Sequence, residues 1–424
     1  MNMRVLTTTH LILALFLVAT IGTAPILGEE VDLAQLVEQL GSDEFSERTA
    51  AMHSLQQAGL PALPHLIEGI RRGDFETRRR ALSLISDLAS QSYLASEDVF
   101  VALNELAAED DVSVKPFAAE ALDAVREQQE EGAIAELRRL GAQVTLPSMG
   151  ETTGAKIHFG EAWQGGDRRI QLAQRIRGLR WLSLEKSTAG DGALNAIAEL
   201  SGLHWLYLGQ SRVQGGSLAK LAKLQHLQHL SMKGQPITDD ALRELPTLPR
   251  LQALGLDSTK ITDKGLEHLA NFPALRTIWL DGSEISAAGL GHLAALPDLA
   301  VLYLAEAKIS GEGLEKLQQL PQLRSLSLKS CELSAADLER LSGITQLESL
   351  GLDHTNVTDD HLAKLSDLPR LRVLWLSKCA VTDACVPHIA QFKQLTTLYL
   401  HGSQISEHGA EELKQLLPNC RIHR

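Results

Sequence analysis

The chain has 424 residues, room for two or three domains, and carries 40 Lys and Arg against 53 Asp and Glu for a formal charge of −13. An acidic chain without a basic block argues against nucleic acid or an anionic membrane as its main partner. Aromatic residues make up only 4% of it, so its core must be aliphatic.

At the amino terminus Arg4 precedes the apolar run 11–21. That run falls short of the ~20 apolar residues that span a bilayer, and so has the form of an export signal. Gly22 and Ala24 fit the small-residue positions of a cleavage site, and cleavage after Gly28 is the alternative. Residues 1–28 are therefore read as a signal peptide, with an uncleaved anchor as the other reading. The mature chain would be exported, to the periplasm, the cell envelope or the medium, without an integral membrane span.

Residues 30–127 carry the pattern of paired amphipathic helices. Ser42-Asp43-Glu44-Phe45-Ser46-Glu47-Arg48 aligns with Gly73-Asp74-Phe75-Glu76-Thr77-Arg78 at an offset of 30, and Ala51 and Ala81 follow at the same offset. Asp111 to Lys115 opens a weaker third unit. The pattern resembles HEAT repeats, which stack helix pairs into a solenoid; a plain helical bundle is the other reading.

Residues 128–178 are expected to connect this region to the next and to cap it. Ile134, Leu137 and Leu140 continue a helical apolar face that Gly141 ends. Val144 to Leu146 and Lys156 to Phe159 then read as two strands around a turn at Gly150. A stacked sheet needs its first edge covered, and Ile157, Phe159 and Trp163 read as core of that cap.

From Leu179 to residue 418 leucine recurs with a spacing of 24 residues, at 179, 203, 227, 251, 275, 299, 323, 347, 371 and 395. The unit starting at Leu251 reads LQALGLDSTKITDKGLEHLANFPA. Numbered from its first leucine, positions 1, 4 and 6 (Leu251, Leu254, Leu256) point into a core from a short strand. Positions 3, 5 and 7 point to the other side, as the two-residue period of a strand requires. Thr or Ser at position 12, often followed by Asp as in Thr262-Asp263, marks a helix start whose side chains accept from first-turn amides. Leu266, Leu269 and Phe272 then place an apolar stripe on a short outer helix. Gly265, Gly289, Gly313 and Gly409, all at position 15, suggest tight packing there. Past residue 418, Cys420 and Ile422 repeat the spacing of positions 4 and 6, so 419–424 are read as a last strand.

Ten units opening LxxLxL at this length are similar to leucine-rich repeats, whose units must stack to share one core. The expected fold is an α/β leucine-rich-repeat solenoid, a horseshoe with a parallel inner sheet and outer helices, preceded by an all-α HEAT-like domain. Small or thiol side chains at position 9 (Ser211, Thr259, Ser283, Cys331, Thr355, Cys379, Ser403) resemble the cysteine-containing class of repeat known from F-box receptors of ubiquitin ligases. No F-box precedes them, so a substrate receptor of that kind is disfavoured. The whole mature chain resembles a group of exported bacterial HEAT plus leucine-rich-repeat proteins, which mostly lack an assigned activity.

Chemistry-bearing motifs are absent: there is no HExxH, P-loop, GxSxG or CxxC, and no catalytic residue, metal or cofactor is assigned. His226 with His229 and His354 with His361 are close in sequence but are read as solvated side chains. Cys331 and Cys379 sit two strands apart, about 10 Å at ~4.8 Å per strand, whereas a disulfide needs α-carbons within ~7 Å. With Cys385 on an outer helix and Cys420 in the last strand, four free thiols are expected.

The rings fall on the concave face of the sheet. From Ser231, position 5 runs Ser, Gly, Trp279, Tyr303, Ser, Gly, Trp375, Tyr399, so residues 227–322 and 323–418 read as a duplicated block. Trp181, Trp205 and Tyr207 also take outward positions, and Asp281 and Asp353 stand beside the rings. Aromatic residues with polar handles are enriched where proteins meet partners. The expected function is a non-catalytic exported scaffold that binds a protein or peptide through these nine residues. A glycan-binding envelope protein that takes a polysaccharide is the alternative, because rings beside Asp257, Asp281 and Asp353 suit sugars. Rings that merely shield one another are the bland reading.

Overall fold

The computed structural model describes residues 32–424, apart from 92, 149–150, 310 and 366–367 and the side chains at 90–97. The leader read at 1–28 and the turn at Gly150 lie outside these residues. Among the described residues no helix is long and apolar enough to cross a membrane. The chain forms two compact units divided between Gln128 and Gln129.

The first unit is all helical: α1 (Leu33–Gln39), α2 (Phe45–Ala58), α3 (Leu63–Arg72), α4 (Phe75–Gln91), α5 (Tyr93–Ala108) and α6 (Lys115–Arg139), the last running past the division. The Asp32 carboxylate caps α1 by accepting from the amides of Ala34 and Gln35, and Pro64 lies in the first turn of α3, where a missing N–H costs nothing. Helix α1 packs on α2 and α3, and α4 packs on α2, α3 and α5. Leu55, Leu66, Ile70, Ile85 and Leu103 are buried between them. Ala51 and Ala81 are fully buried, as small residues at a close helix contact must be. The Asp–Phe–Arg motif has a local cause. Arg48 reaches back to the carbonyls of Ser42 and Asp43 ahead of α2. Arg78 donates back to the carbonyl of Arg71 at the end of α3 and across to that of Ser113 ahead of α6. Each arginine thus ties down the chain that precedes its helix, and Arg78 a second turn as well.

The second unit is built on one sheet in which every strand pairs with its sequence neighbours. β1 (Gln143–Thr145) runs antiparallel to β2 (Ala155–His158), which starts the parallel array. The array continues through β3 (Leu179–Ser183), β4 (Trp205–Tyr207), β5 (His229–Ser231), β6 (Ala253–Gly255), β7 (Thr277–Trp279), β8 (Val301–Tyr303), β9 (Ser325–Ser327), β10 (Ser349–Gly351), β11 (Val373–Trp375), β12 (Thr397–Tyr399) and β13 (Arg421–His423). From β3 on, residues 24 apart are paired, as in Leu350 with Leu374. The leucines at positions 1, 4 and 6 are buried along the whole array, Leu251, Leu254 and Leu256 completely. At its start Ile157, Phe159 and Trp163 form capping core, with the Phe159 and Trp163 rings edge-on at 4.7 Å.

The outer segments are shorter than full helices: Asp263–Leu266 is one α-turn followed by a 3-10 stretch at Glu267–Asn271, and Gly289–Ala295 is wholly 3-10. Their threonines and serines cap as expected in several repeats, Thr238 accepting from Ala241 and Ser406 from Gly409. The aspartates do something else. Asp239 accepts from the backbone amide and hydroxyl of Thr262 in the next repeat, at 2.8 and 2.7 Å. Asp263 holds Ser286, Asp359 holds Thr382 and Asp383 holds Ser406 in the same way. The expected cap at position 13 is thus a bond between repeats. It also accounts for three of the glycines at position 15, because a Cβ on Gly265, Gly289 or Gly409 would collide with Asp239, Asp263 or Asp383, whereas one on Gly313 would meet the backbone and methyl of Ala287. Position 13 is Ala287, Gly311 and Ala335 in three successive repeats, and there the carboxylate ladder is absent. Asp337 partly replaces it, closing a capping box with Ser334 and accepting from the amide of Gly311.

The last strand departs from its expected register. Ile422 pairs with Leu398 and therefore takes position 4, not 6, while Cys420 precedes the strand. The two-residue shift keeps the same side chains outward, and Arg421 and His423 fall at positions 3 and 5 on the ring-bearing face.

Candidate interaction face

The face turned away from the leucine core collects side chains from positions 3, 5 and 7. Trp181, Trp205, Tyr207, Trp279, Tyr303, Trp375 and Tyr399 all lie half-buried on it. The pair Trp279 and Tyr303 stacks at 5.9 Å and 12° between rings, and Trp375 and Tyr399 at 5.7 Å and 4°. Parallel strands in register set this geometry, since β7 pairs with β8 and β11 with β12 at those residues.

Four histidines join the rings, three for which the sequence offers no reason to stand there and His229, which is expected to be solvated. His158 lies 6.3 Å from Trp181, Trp181 lies 5.3 Å from Tyr207, and Tyr207 lies 4.8 Å from His229. His229 in turn lies 5.5 Å from Trp279. One run of rings therefore extends from β2 to β8. A second extends from Trp375 through Tyr399 to His423, stacked at 4.7 Å, with His401 beside both. Trp205 stands apart, its ring neighbour being His204 at 5.6 Å. These histidines occupy positions 3, 5 and 7, or the cap strand, so extending the outward-position test from Trp and Tyr to His would have found them.

The expectation that His229 is solvated is thereby overturned. It is half-buried between Tyr207 and Trp279, and burial pushes its pKa below the ordinary value. His226 is exposed, stacks on His204 and bonds to Arg250. His361 caps its own helix by accepting from the Thr358 amide, which removes it from a pair with His354. Burial also pushes the Tyr207 hydroxyl up. Among the described residues no cluster of His, Cys, Asp and Glu could hold a metal ion.

The carboxylates beside the rings belong partly to the sheet. Asp281 accepts from the Ala305 amide and Asp353 from the Ser377 amide, each at 2.7 Å across one strand spacing. Asp257 is buried, and desolvation together with the negative charge of Asp281 pushes its carboxyl above the usual range, against the opposing pull of Lys233. The side chains at position 9 point the other way. Thr259, Ser283, Cys331, Thr355 and Cys379 donate to strand-end carbonyls and are buried. All four cysteines are free and buried.

A stacked solenoid of 24-residue units on one parallel sheet defines the class of repeat proteins. Within that class the chain belongs to the leucine-rich repeat family: the model described as "Leucine-rich repeat region" matches residues 166–416. No curated protein matches the chain. Among solved structures it is similar to an internalin from Listeria monocytogenes, at 19% identity over 69% of this chain and 93% of that one, with a TM-score of 0.41. It is similar to a leucine-rich-repeat protein from Leptospira interrogans at 18% identity, over 60% and 80% of the two chains, with a TM-score of 0.32. It is also similar to a chain of the mouse RP105/MD-1 complex at 19% identity, over 57% and 41%, with a TM-score of 0.44.

Proposed function

We propose that this protein is an exported, non-catalytic scaffold that binds a protein or peptide along the concave face of its leucine-rich-repeat array. The observation that carries the reading is the aromatic run from His158 to Tyr303 and its shorter counterpart at Trp375, Tyr399 and His423. In a chain with 4% aromatic residues, these rings sit on the sheet face turned away from the leucine core. Stacked rings bring large apolar area to a surface at little entropic cost, and such residues dominate binding energy where proteins meet. One carboxylate oxygen each of Asp281 and Asp353 is committed to a backbone amide, which leaves less for sugar hydroxyls and favours a polypeptide over a polysaccharide.

The helical unit is read as HEAT-like pairs, supported by Phe45 and Phe75 opening α2 and α4 at the 30-residue offset. Export is tested by fusing residues 1–30 to a reporter that is active only outside the cytoplasm. Binding is tested by capture from envelope extract with the wild-type chain, Trp279→Ala, Trp375→Ala and Glu267→Ala, the last on the outer side. The tryptophan variants should lose a partner that the glutamate variant keeps. Equal recovery by all four overturns the reading.

A further inference from the structure

The two halves of the array, 227–322 and 323–418, repeat the sequence Ser, Gly, Trp, Tyr at position 5 on strands β5 to β8 and again on β9 to β12. Their ring content differs at position 7 of the β8 and β12 repeats, where Ala305 gives way to His401, and at position 3 of β5 and β9. In the first half the position 3 residue of β5 is His229, whose ring lies 5.5 Å from Trp279 across β6, which sets Ala253 beside His229 and the bare Gly255 beside Trp279. In the second half the corresponding residue of β9 is Ser325, and β10 sets Ser349 beside it and Gly351 beside Trp375. Trp279 therefore has rings on two sides, His229 and Tyr303, whereas among the described residues Trp375 has only Tyr399.

Resting on the reading of this face as a polypeptide-binding surface, we infer that the place beside Trp375 and above Ser325 is a slot for one neutral aromatic side chain of the partner. The argument is that the same backbone, with the same glycine, tryptophan and tyrosine, already holds a ring there in its sister half. Lys233 and Asp257 flank that occupied place at position 7, and Lys329 and Asp353 recur around the open one. The internal occupant is also the right chemistry for a guest, because burial holds His229 toward its neutral form. A planar ring can stack on the tryptophan while its edge meets the small hydroxyl side chains of Ser325 and Ser327, both half-buried. A serine in place of a histidine is what leaves the room.

The test uses the full chain, labelled with nitrogen-15, and follows the indole N–H resonance of Trp375, assigned with Trp375→Phe. N-acetyltyrosinamide is the aromatic probe and methyl β-glucopyranoside the sugar probe. The tyrosine amide should move the Trp375 resonance to saturation and the glucoside should not. Ser325→His should fill the slot with an internal ring and weaken the tyrosine amide by at least about tenfold. His229→Ser should open the equivalent place and create a second saturable shift at Trp279. No saturable shift in the wild type, an unchanged affinity in Ser325→His, no new shift in His229→Ser, or a response to the glucoside alone overturns the inference. If Trp375→Ala still abolishes partner capture while the tyrosine amide fails to bind, the slot is refuted and the interaction face stands.

Discussion

His229 and Trp279 belong to strands two apart, yet their rings lie 5.5 Å from each other. The strand between them, β6, sets Ala253 beside His229 and Gly255 beside Trp279, and a Cβ built on Gly255 would meet the Ser231 hydroxyl at 3.0 Å. The small side chains of this strand, Ala253 and Gly255, let one ring run continue over a strand that contributes no ring. Gly255→Val should break the run at this point: the near-ultraviolet circular dichroism of the coupled aromatics should weaken, and partner capture should fall as it does for Trp279→Ala. An unchanged aromatic spectrum would show that the rings do not depend on the bare strand.

The same stretch sets a pH response. Burial lowers the His229 pKa below the ordinary 6.5, so the folded state disfavours the protonated ring. Its contribution to stability is fully present above 6.5 and is lost as pH falls toward the lowered value. Asp257 runs the other way. Its carboxyl is raised above 3.8, so the folded state is relatively favoured below 3.8 and loses that advantage as pH rises through the raised value. Asp257→Asn should therefore raise Tm at neutral pH and lose that gain as pH falls toward 3.8. His229→Gln should flatten the drop in Tm on the acid side of 6.5. Parallel Tm profiles for wild type and both variants would contradict the assignment.

Burial and exposure separate stability from binding in this fold. Leu254 and Leu350 are fully buried at position 4, and replacing either by Ala should cost ~2–5 kcal/mol through the cavity left behind. Trp279 and Trp375 lie half-buried on the opposite side of the sheet. Their alanine variants should keep Tm close to wild type while partner binding weakens by ~2 kcal/mol or more, the scale of an interface hot spot. If Trp279→Ala instead lowers Tm as far as Leu254→Ala, the rings are a second core that shields the sheet.

Much of this arrangement is written in the period of the chain. A spacing of 24 makes Leu254 equivalent to Leu350, so strand register and the buried side follow from one unit. The outward rings follow too, because position 5 alternates away from position 4. What escaped is what one unit cannot display. Asp263 looks like a cap for its own helix, and only the stack brings it to Ser286 in the next repeat. His229 looks like a polar surface residue until Tyr207 and Trp279 close on it from other repeats. In strand β13 the apolar pair Cys420 and Ile422 suggested a register that pairing with Leu398 corrects, because an apolar residue at every second place fits two registers equally well.

The cysteines give a chemical check on the stack. Burial pushes the thiols of Cys331 and Cys420 up to about 11 and that of Cys385 up to about 12, and raises Cys379 as well. The reactive thiolate is therefore scarce at neutral pH. Native protein should react slowly with an aromatic disulfide reagent, and the denatured, unreduced chain should release four equivalents. Two or fewer would mean that a disulfide forms.

The ladder between repeats yields the last prediction. Asp383 accepts from the amide of Ser406 at 2.7 Å and also from its hydroxyl, and it occupies the space into which a side chain at Gly409 would project. Asp383→Ala strips these partners from Ser406 and should cost ~1–3 kcal/mol, the penalty for leaving a polar group unsatisfied. Gly409 lies inside the helix Glu407–Leu416, where alanine would ordinarily gain ~1 kcal/mol over glycine. With Asp383 in place, Gly409→Ala should instead destabilise, because the new methyl meets the carboxylate. In the Asp383→Ala background the carboxylate is gone and only a 3.3 Å contact with the Cβ at position 383 remains, so Gly409→Ala should turn neutral or stabilising. Denaturant titration of the two single variants and the double variant measures this change of sign as a coupling energy. Additive effects would mean that the glycine at position 15 is there for some reason other than the carboxylate of the preceding repeat.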